Sequence, residues 1–242
     1  MSSATEIPTP EPVVGPRRRG GYPVWAASEG AVEVRFVGRG PDGTAEEVLR
    51  RVEGRSLPVA QARQTHSVRV LPAREGSAGS GDALWTDRPG LALSVVTADC
   101  VPLVLSVRGG GPVAVVHAGW RGIAGGVVER ALEALGAPAR EVAAWVGPAI
   151  GACCYEVGPE VAERVAAVSG AAPAPLTVEG PRGRPHLDLP GTLAAQLRRA
   201  GVREPRVLAR CTRCDEAHLW SYRREGPRGG RNVTYAWRTA PS

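Results

Sequence analysis

An α/β fold in a single domain is expected, and three observations point to it. Short Val/Leu/Ala runs recur along the chain, as strands buried on both faces would read. Four segments carry apolar residues at helical spacing with recognisable start or stop residues. From about Tyr22 to Trp237 no linker and no internal repeat divides the chain.

The elements follow in order. Residues 1–21 are Pro-rich, weakly hydrophobic and end in Arg17-Arg18-Arg19, the composition of a disordered tail; residues 22–242 then form one catalytic domain. Strands are expected at Val32–Val37, Ser67–Leu71, Leu91–Thr97, Leu103–Val107, Val113–His117, Val142–Val146 and Arg206–Ala209. A helix over Thr44–Arg51 opens on a capping box, Thr44 with Glu47 three residues on. Ile123–Leu135 stops at Gly136, Pro159–Val168 opens on proline, and Pro190–Ala200 follows Asp188 as a cap. The Pro/Gly-rich stretch Gly170–Pro185 reads as a long loop.

All 30 basic residues are arginine, against 24 acidic ones, and the net charge of +6 favours anionic ligands such as phosphate. No basic run interleaved with aromatics supports nucleic-acid binding. No apolar stretch reaches the roughly 18 residues a membrane helix needs. The first residues lack the apolar centre of a signal peptide, so the cytoplasm is the expected compartment. There the 5 cysteines are read as thiols or metal ligands rather than disulfides.

Three residues stand out chemically. Cys100 ends the run through Thr97-Ala-Asp-Cys, His117 ends the strand Val113–Val116, and His66 sits in Gln-Thr-His-Ser just before an apolar segment. Two imidazoles and one thiolate on rigid strand ends suit zinc, with a fourth position open. Taken singly each has a plainer reading: a cysteine in a Val/Leu run packs as a small core residue, and a histidine at a strand end hydrogen-bonds at the surface. Neighbours of the same segments strengthen the metal reading, namely Arg63, Asp99 and Arg121.

The segments Gln64-Thr-His66-Ser, Thr97-Ala-Asp-Cys100, His117-Ala-Gly-Trp-Arg-Gly122, Gly147-Pro-Ala-Ile-Gly-Ala-Cys-Cys-Tyr-Glu-Val-Gly158, Leu187-Asp-Leu189, Cys211-Thr-Arg-Cys214 and Ser221-Tyr-Arg-Arg-Glu225, followed by Gly230-Arg231, stand in one order. In that order they strongly resemble the YfiH-type laccase-domain family, across roughly Phe36 to Trp237. The resemblance implies a four-layer α/β/β/α sandwich with mixed sheets and a zinc held by His66, Cys100 and His117. It also implies phosphorolysis of adenosine, inosine and methylthioadenosine, with adenosine deamination alongside, and a bacterial branch linked to editing of peptidoglycan precursors. One departure is Leu219-Trp220, where the family usually carries two aromatics.

On this reading zinc polarises water for deamination, with Asp99 the nearest acid/base and Glu156 a second; Asp99 could instead orient a histidine. Phosphate calls for arginine, and Arg63, Arg121, Arg223 and Arg224 are candidates, Arg121 foremost. Gln64 joins the substrate-binding set, and Trp120 with Tyr155 would hold a purine, although Trp120 reads equally well as core. Cys153-Cys154 are read as small buried residues, and Cys211-x-x-Cys214, lacking a partner pair, as structural.

Two rival readings keep the same residues. Cys100 activated by His117 would be the nucleophile of an amide hydrolase acting on peptidoglycan precursors. The old polyphenol-oxidase label needs many more imidazoles than the 4 present, although copper would bind such a set in vitro. A third reading is a protein that only senses a nucleoside or metal.

Overall fold

A computed structural model describes residues 13–169, 177–180 and 182–239. Its strands are β1 (Val14–Arg19), β2 (Tyr22–Glu29), β3 (Val32–Val37), β4 (Val59–Arg63), β5 (Val70–Pro72), β6 (Gly76–Ser80), β7 (Ala83–Thr86) and β8 (Ala92–Thr97). They continue as β9 (Val101–Val107), β10 (Val113–Ala118), β11 (Val142–Val146), β12 (Thr177–Glu179), β13 (Pro185–Leu187), β14 (Arg206–Val207) and β15 (Asn232–Arg238). The helices are α1 (Ala45–Glu53), α2 (Trp120–Gly125), α3 (Val127–Leu135), α4 (Pro159–Ser169), α5 (Leu189–Arg199) and α6 (Tyr222–Glu225).

Two mixed sheets carry the fold. One runs β1-β2-β3-β15-β8-β4-β6 and the other β14-β11-β9-β10-β7-β5. Their layering follows from side-chain alternation. Trp25, Phe36, Leu93 and Ala236 pack against Val104, Val115 and Trp145 between the sheets. Their neighbours Val24, Val37, Tyr235 and Trp237 face outward onto α1. Leu103, Leu105 and Val116 face the other way, onto Ile123, Val128, Leu193 and Leu197 of α2, α3 and α5. The result is the expected α/β/β/α order, and it explains why strands such as β9 read as uninterrupted apolar runs: both faces are buried.

The capping box of α1 is present, with Thr44 and Glu47 bonded reciprocally, and Asp188 caps α5 by accepting from the Gly191 N–H at 2.9 Å. The helix expected over Ile123–Leu135 is two helices. Gly126, at φ 86°, turns the chain left-handed between them, and α2 starts earlier, at Trp120. The tail expected through residue 21 is corrected from Val14 onward: β1 pairs antiparallel with β2 at the sheet edge. Its side chains are largely exposed, so no apolar alternation marks it as a strand. Residues 1–12 lie outside the described residues, as does part of the loop expected at Gly170–Pro185; the rest of that stretch contains β12, which pairs with β13. No described helix is long and apolar enough to cross a membrane.

Between residues 63 and 101 the chain passes from the first sheet to the second three times, at β4 to β5, β6 to β7 and β8 to β9. The three crossings lie side by side and position the candidate site.

Candidate active site

His66 sits in the first crossing, Asp82 in the second and Asp99-Cys100 in the third; His117 comes from the end of β10. The donor atoms of His66, Cys100 and His117 lie within 4.8 Å of one another. Cys100 Sγ stands 3.9 Å from His66 Nε2, and the two imidazoles cross at 83° with centroids 4.8 Å apart.

Asp82 holds this group together. It is 1% exposed and accepts hydrogen bonds from the backbone N–H groups of His66 at 2.9 Å and Ser67 at 2.7 Å, from Thr65, and from the Ser67 hydroxyl. It also accepts from His117 Nδ1 at 2.8 Å, which leaves His117 Nε2 free for the centre. Burial opposes ionisation of Asp82, but His117 and the Ser67 donors outweigh it and hold the carboxyl well below its usual range. Burial likewise opposes charge on His117, yet Asp82 and Cys100 raise it to about 9. For Cys100, burial pushes the thiol up while hydrogen bonds from His117 and His66 bring it down to about 7.

The backbone is strained where the ligands attach. Among the described residues, the only non-glycine residues at positive φ are His66 at 58° and Asp99 at 88°. Such conformations cost roughly 1–3 kcal/mol each and cluster at functional sites. Gly119 completes the enclosure, since a Cβ there would meet His66 Cδ2 at 3.0 Å and Cys100 Sγ at 3.1 Å. Two imidazoles and a cysteine sulfur, one imidazole oriented by a carboxylate, fit a metal of borderline softness.

A cavity of about 530 Å³ opens over the three donors, lined by Gln64, His66, Val96, Thr97, Ala98, Asp99, Cys100, His117, Trp120, Arg121, Tyr155, Tyr222, Arg223 and Arg231. The Arg121 guanidinium lies over the Trp120 ring at 4.6 Å and makes no ion pair with a described residue. Arg223 lies over Tyr155 at 5.2 Å. Burial first, then the charge of Cys100, raises the Tyr155 phenol to about 12. Gln64 is pinned by bonds of 2.8 Å in both directions with the backbone of Val96.

Several expected residues are used otherwise. Asp99 does not orient a histidine; its carboxylate accepts from Thr212 Oγ1 at 2.6 Å and from the Arg223 N–H at 2.7 Å. Glu156 is absent from the cavity wall, because Arg182 donates to it at 2.7 Å and His186 stands 3.8 Å away. Arg63 donates to Ser80 and does not line the cavity. Arg224 spends its guanidinium on the carbonyls of Thr212, Arg213 and Leu219, at 2.8, 2.7 and 2.6 Å. At the departure Leu219-Trp220, Leu219 is buried between the sheets and Trp220 lies under Arg39. Sequence reasoning missed Asp82, Tyr222 and Arg231. A lone acid before an apolar run is the only sequence trace of Asp82, and Tyr222 and Arg231 stand only within longer motifs.

A family model described as multi-copper polyphenol oxidoreductase laccase matches residues 43–239. A purine nucleoside phosphorylase of Pseudomonas aeruginosa is 37% identical over 174 residues, covering 72% of this chain and 72% of its own. The purine nucleoside phosphorylase YfiH of Shigella flexneri is 33% identical over 204 residues, 83% of each chain. The crystal structure of a Neisseria meningitidis protein matches with a TM-score of 0.77 at 28% identity, covering 95% of this chain and 100% of that one.

Proposed function

Because the chain belongs to the multi-copper polyphenol oxidoreductase laccase family, we propose that it is a purine nucleoside phosphorylase, as its relatives are named. The observation that carries this reading is the cavity in which the His66/Cys100/His117 donors, two aromatic rings and Arg121, without an ion pair among the described residues, meet. Adenosine, inosine and methylthioadenosine are the proposed substrates, with adenosine deamination as a side activity. Zinc is the proposed metal, held by His66, Cys100 and His117; when bound it supplies Lewis-acid polarisation.

The side chains divide the remaining work. Arg121 and Arg223 receive phosphate, whose oxygens match the guanidinium fork. Trp120 and Tyr155 flank the purine and keep water from the glycosidic carbon. A phosphate oxygen then bonds to that carbon as the carbon–nitrogen bond breaks, and the electron pair leaves with the base, which takes up a proton. Asp99 acts as a positioning residue, fixing the backbone of Arg223 through the 2.7 Å bond.

The test is to incubate the protein with adenosine, with and without phosphate, beside a Cys100→Ala variant, following products by chromatography and zinc by elemental analysis. Adenine formed only with phosphate, and lost together with zinc in the variant, supports the reading. Untouched adenosine in zinc-loaded wild type sinks it. One observation favours a second reading. Asp82, His117 and Cys100 form an acid–base–thiol series like that of a cysteine amide hydrolase. That activity would survive chelation, which abolishes the first. Polyphenol oxidation lacks support from the other two histidines, since His186 bonds the Ala152 carbonyl and His218 bonds Asp215.

A further inference from the structure

Outside the cavity the fold brings together four cysteines that the sequence left as two unrelated pairs. Cys153 and Cys154 stand in the loop after β11; Cys211 and Cys214 stand in the turn after β14. Their four sulfurs all lie within 4.8 Å of one another. Cys214 Sγ is 3.3 Å from Cys154 Sγ and 3.7 Å from Cys153 Sγ, the latter 61 positions away. Tetrahedral zinc with bonds of about 2.3 Å sets its sulfurs about 3.8 Å apart.

We propose that Cys153, Cys154, Cys211 and Cys214 hold a second, structural zinc ion that fastens the loop bearing Tyr155 to the turn bearing Thr212. Three further features support a thiolate cage over a chance meeting of thiols. The Gly151 N–H donates to Cys211 Sγ at 3.3 Å, a bond that favours the deprotonated sulfur. Arg213 donates to Cys154 Sγ at 3.6 Å, offsetting the excess negative charge that four thiolates leave on a divalent cation. The backbone is already closed beneath the cluster: Ala149 bridges to Cys211, and the Thr212 N–H bonds the Ala149 carbonyl at 3.0 Å. Cys153 and Cys214 are exposed, which corrects the reading of Cys153 as a buried small residue and gives a metal access. Four sulfurs without nitrogen or oxygen donors suit zinc, with iron the competitor.

The consequence reaches the active site through Thr212, whose hydroxyl bonds Asp99 beside Cys100. The four-cysteine site does not rest on the phosphorylase reading, and the zinc count that tests it takes from that reading only the zinc at His66, Cys100 and His117. Zinc would be counted per chain in protein purified under reducing conditions, for wild type, Cys100→Ala and Cys211→Ser/Cys214→Ser. The expected contents are about two, one and one. A wild-type protein whose zinc all disappears in Cys100→Ala overturns the proposal, as does a Cys211→Ser/Cys214→Ser variant that keeps the wild-type content. Should the double variant not fold, Cys100→Ala protein loaded with cobalt decides. Tetrahedral cobalt–thiolate absorption bands are expected, and a spectrum without them overturns the site. Iron colour, or a disulfide found by mass in the native protein, would overturn it as well.

Discussion

Replacing Asp82 by asparagine keeps the shape of the side chain and removes its charge. Six donors converge on the carboxylate: Thr65 N–H and hydroxyl, His66 N–H, Ser67 N–H and hydroxyl, and His117 Nδ1. The hydroxyls can turn away, but the N–H groups cannot. Whichever oxygen becomes NH2, at least one backbone N–H is left facing another donor in a fully enclosed place. At about 1–3 kcal/mol for each stranded donor, plus the lost charge on the survivors, the metal-free protein should lose about 2–5 kcal/mol of stability. Where the NH2 takes the Oδ1 place, the His117 ring can escape only by moving its proton to Nε2, the nitrogen the centre needs; in the other orientation it bonds a neutral amide oxygen instead of a carboxylate. Metal affinity should therefore fall about 10–100-fold. Urea denaturation of the metal-free protein reads the first quantity, and competition against a chelator reads the second. A variant within about 0.5 kcal/mol of wild type, with unchanged metal affinity, would refute the role given to Asp82.

Gly119→Ala should fold but bind less metal at the His66/Cys100/His117 centre, because its Cβ would press on both His66 and Cys100; zinc content against thermal midpoint checks this. Arg121→Ala should raise KM for phosphate about 10–100-fold while leaving the thermal midpoint in place, because Arg121 makes no ion pair among the described residues; equal KM values would remove it from phosphate binding. Glu225 is held below its usual range, burial being outweighed by the Ser221 N–H, Arg224 and Arg39. Its contribution is therefore present above its unfolded value near about 4.3 and lost as pH falls below that. Stability of wild type and Glu225→Gln, measured by urea between pH 7 and pH 3, should converge towards acid.

Much of the fold could be read from residue order because buried strands and capped helices leave local marks. Val101–Val107 is apolar throughout since both its faces are covered, and Thr44 with Glu47 announces α1 through bonds that span only three residues. The edge strand β1 and the Gly-rich β6 were silent, because exposed or side-chain-poor strands carry no alternation. Of the site, His66, Cys100 and His117 were legible as unusual side chains at strand ends. Asp82 was not, because its importance comes from three backbone N–H groups and a ring nitrogen that only tertiary folding delivers. Arg224 misled for the opposite reason: a guanidinium capping three carbonyls has the same one-letter signature as one awaiting phosphate. The two cysteine pairs were each weak alone, and only the bridge between Ala149 and Cys211 makes them one group.

The three crossings between the sheets make the centre a gauge of the spacing between two layers. His66 and Cys100 hang from two of those crossings, and His117 from the end of β10 in the second sheet. Any change that thickens or thins the shared interior, at Trp145 or Phe36 for example, would alter the reach between ligands without touching one. Selection on the ligand distances is thus also selection on a remote hydrocarbon filling.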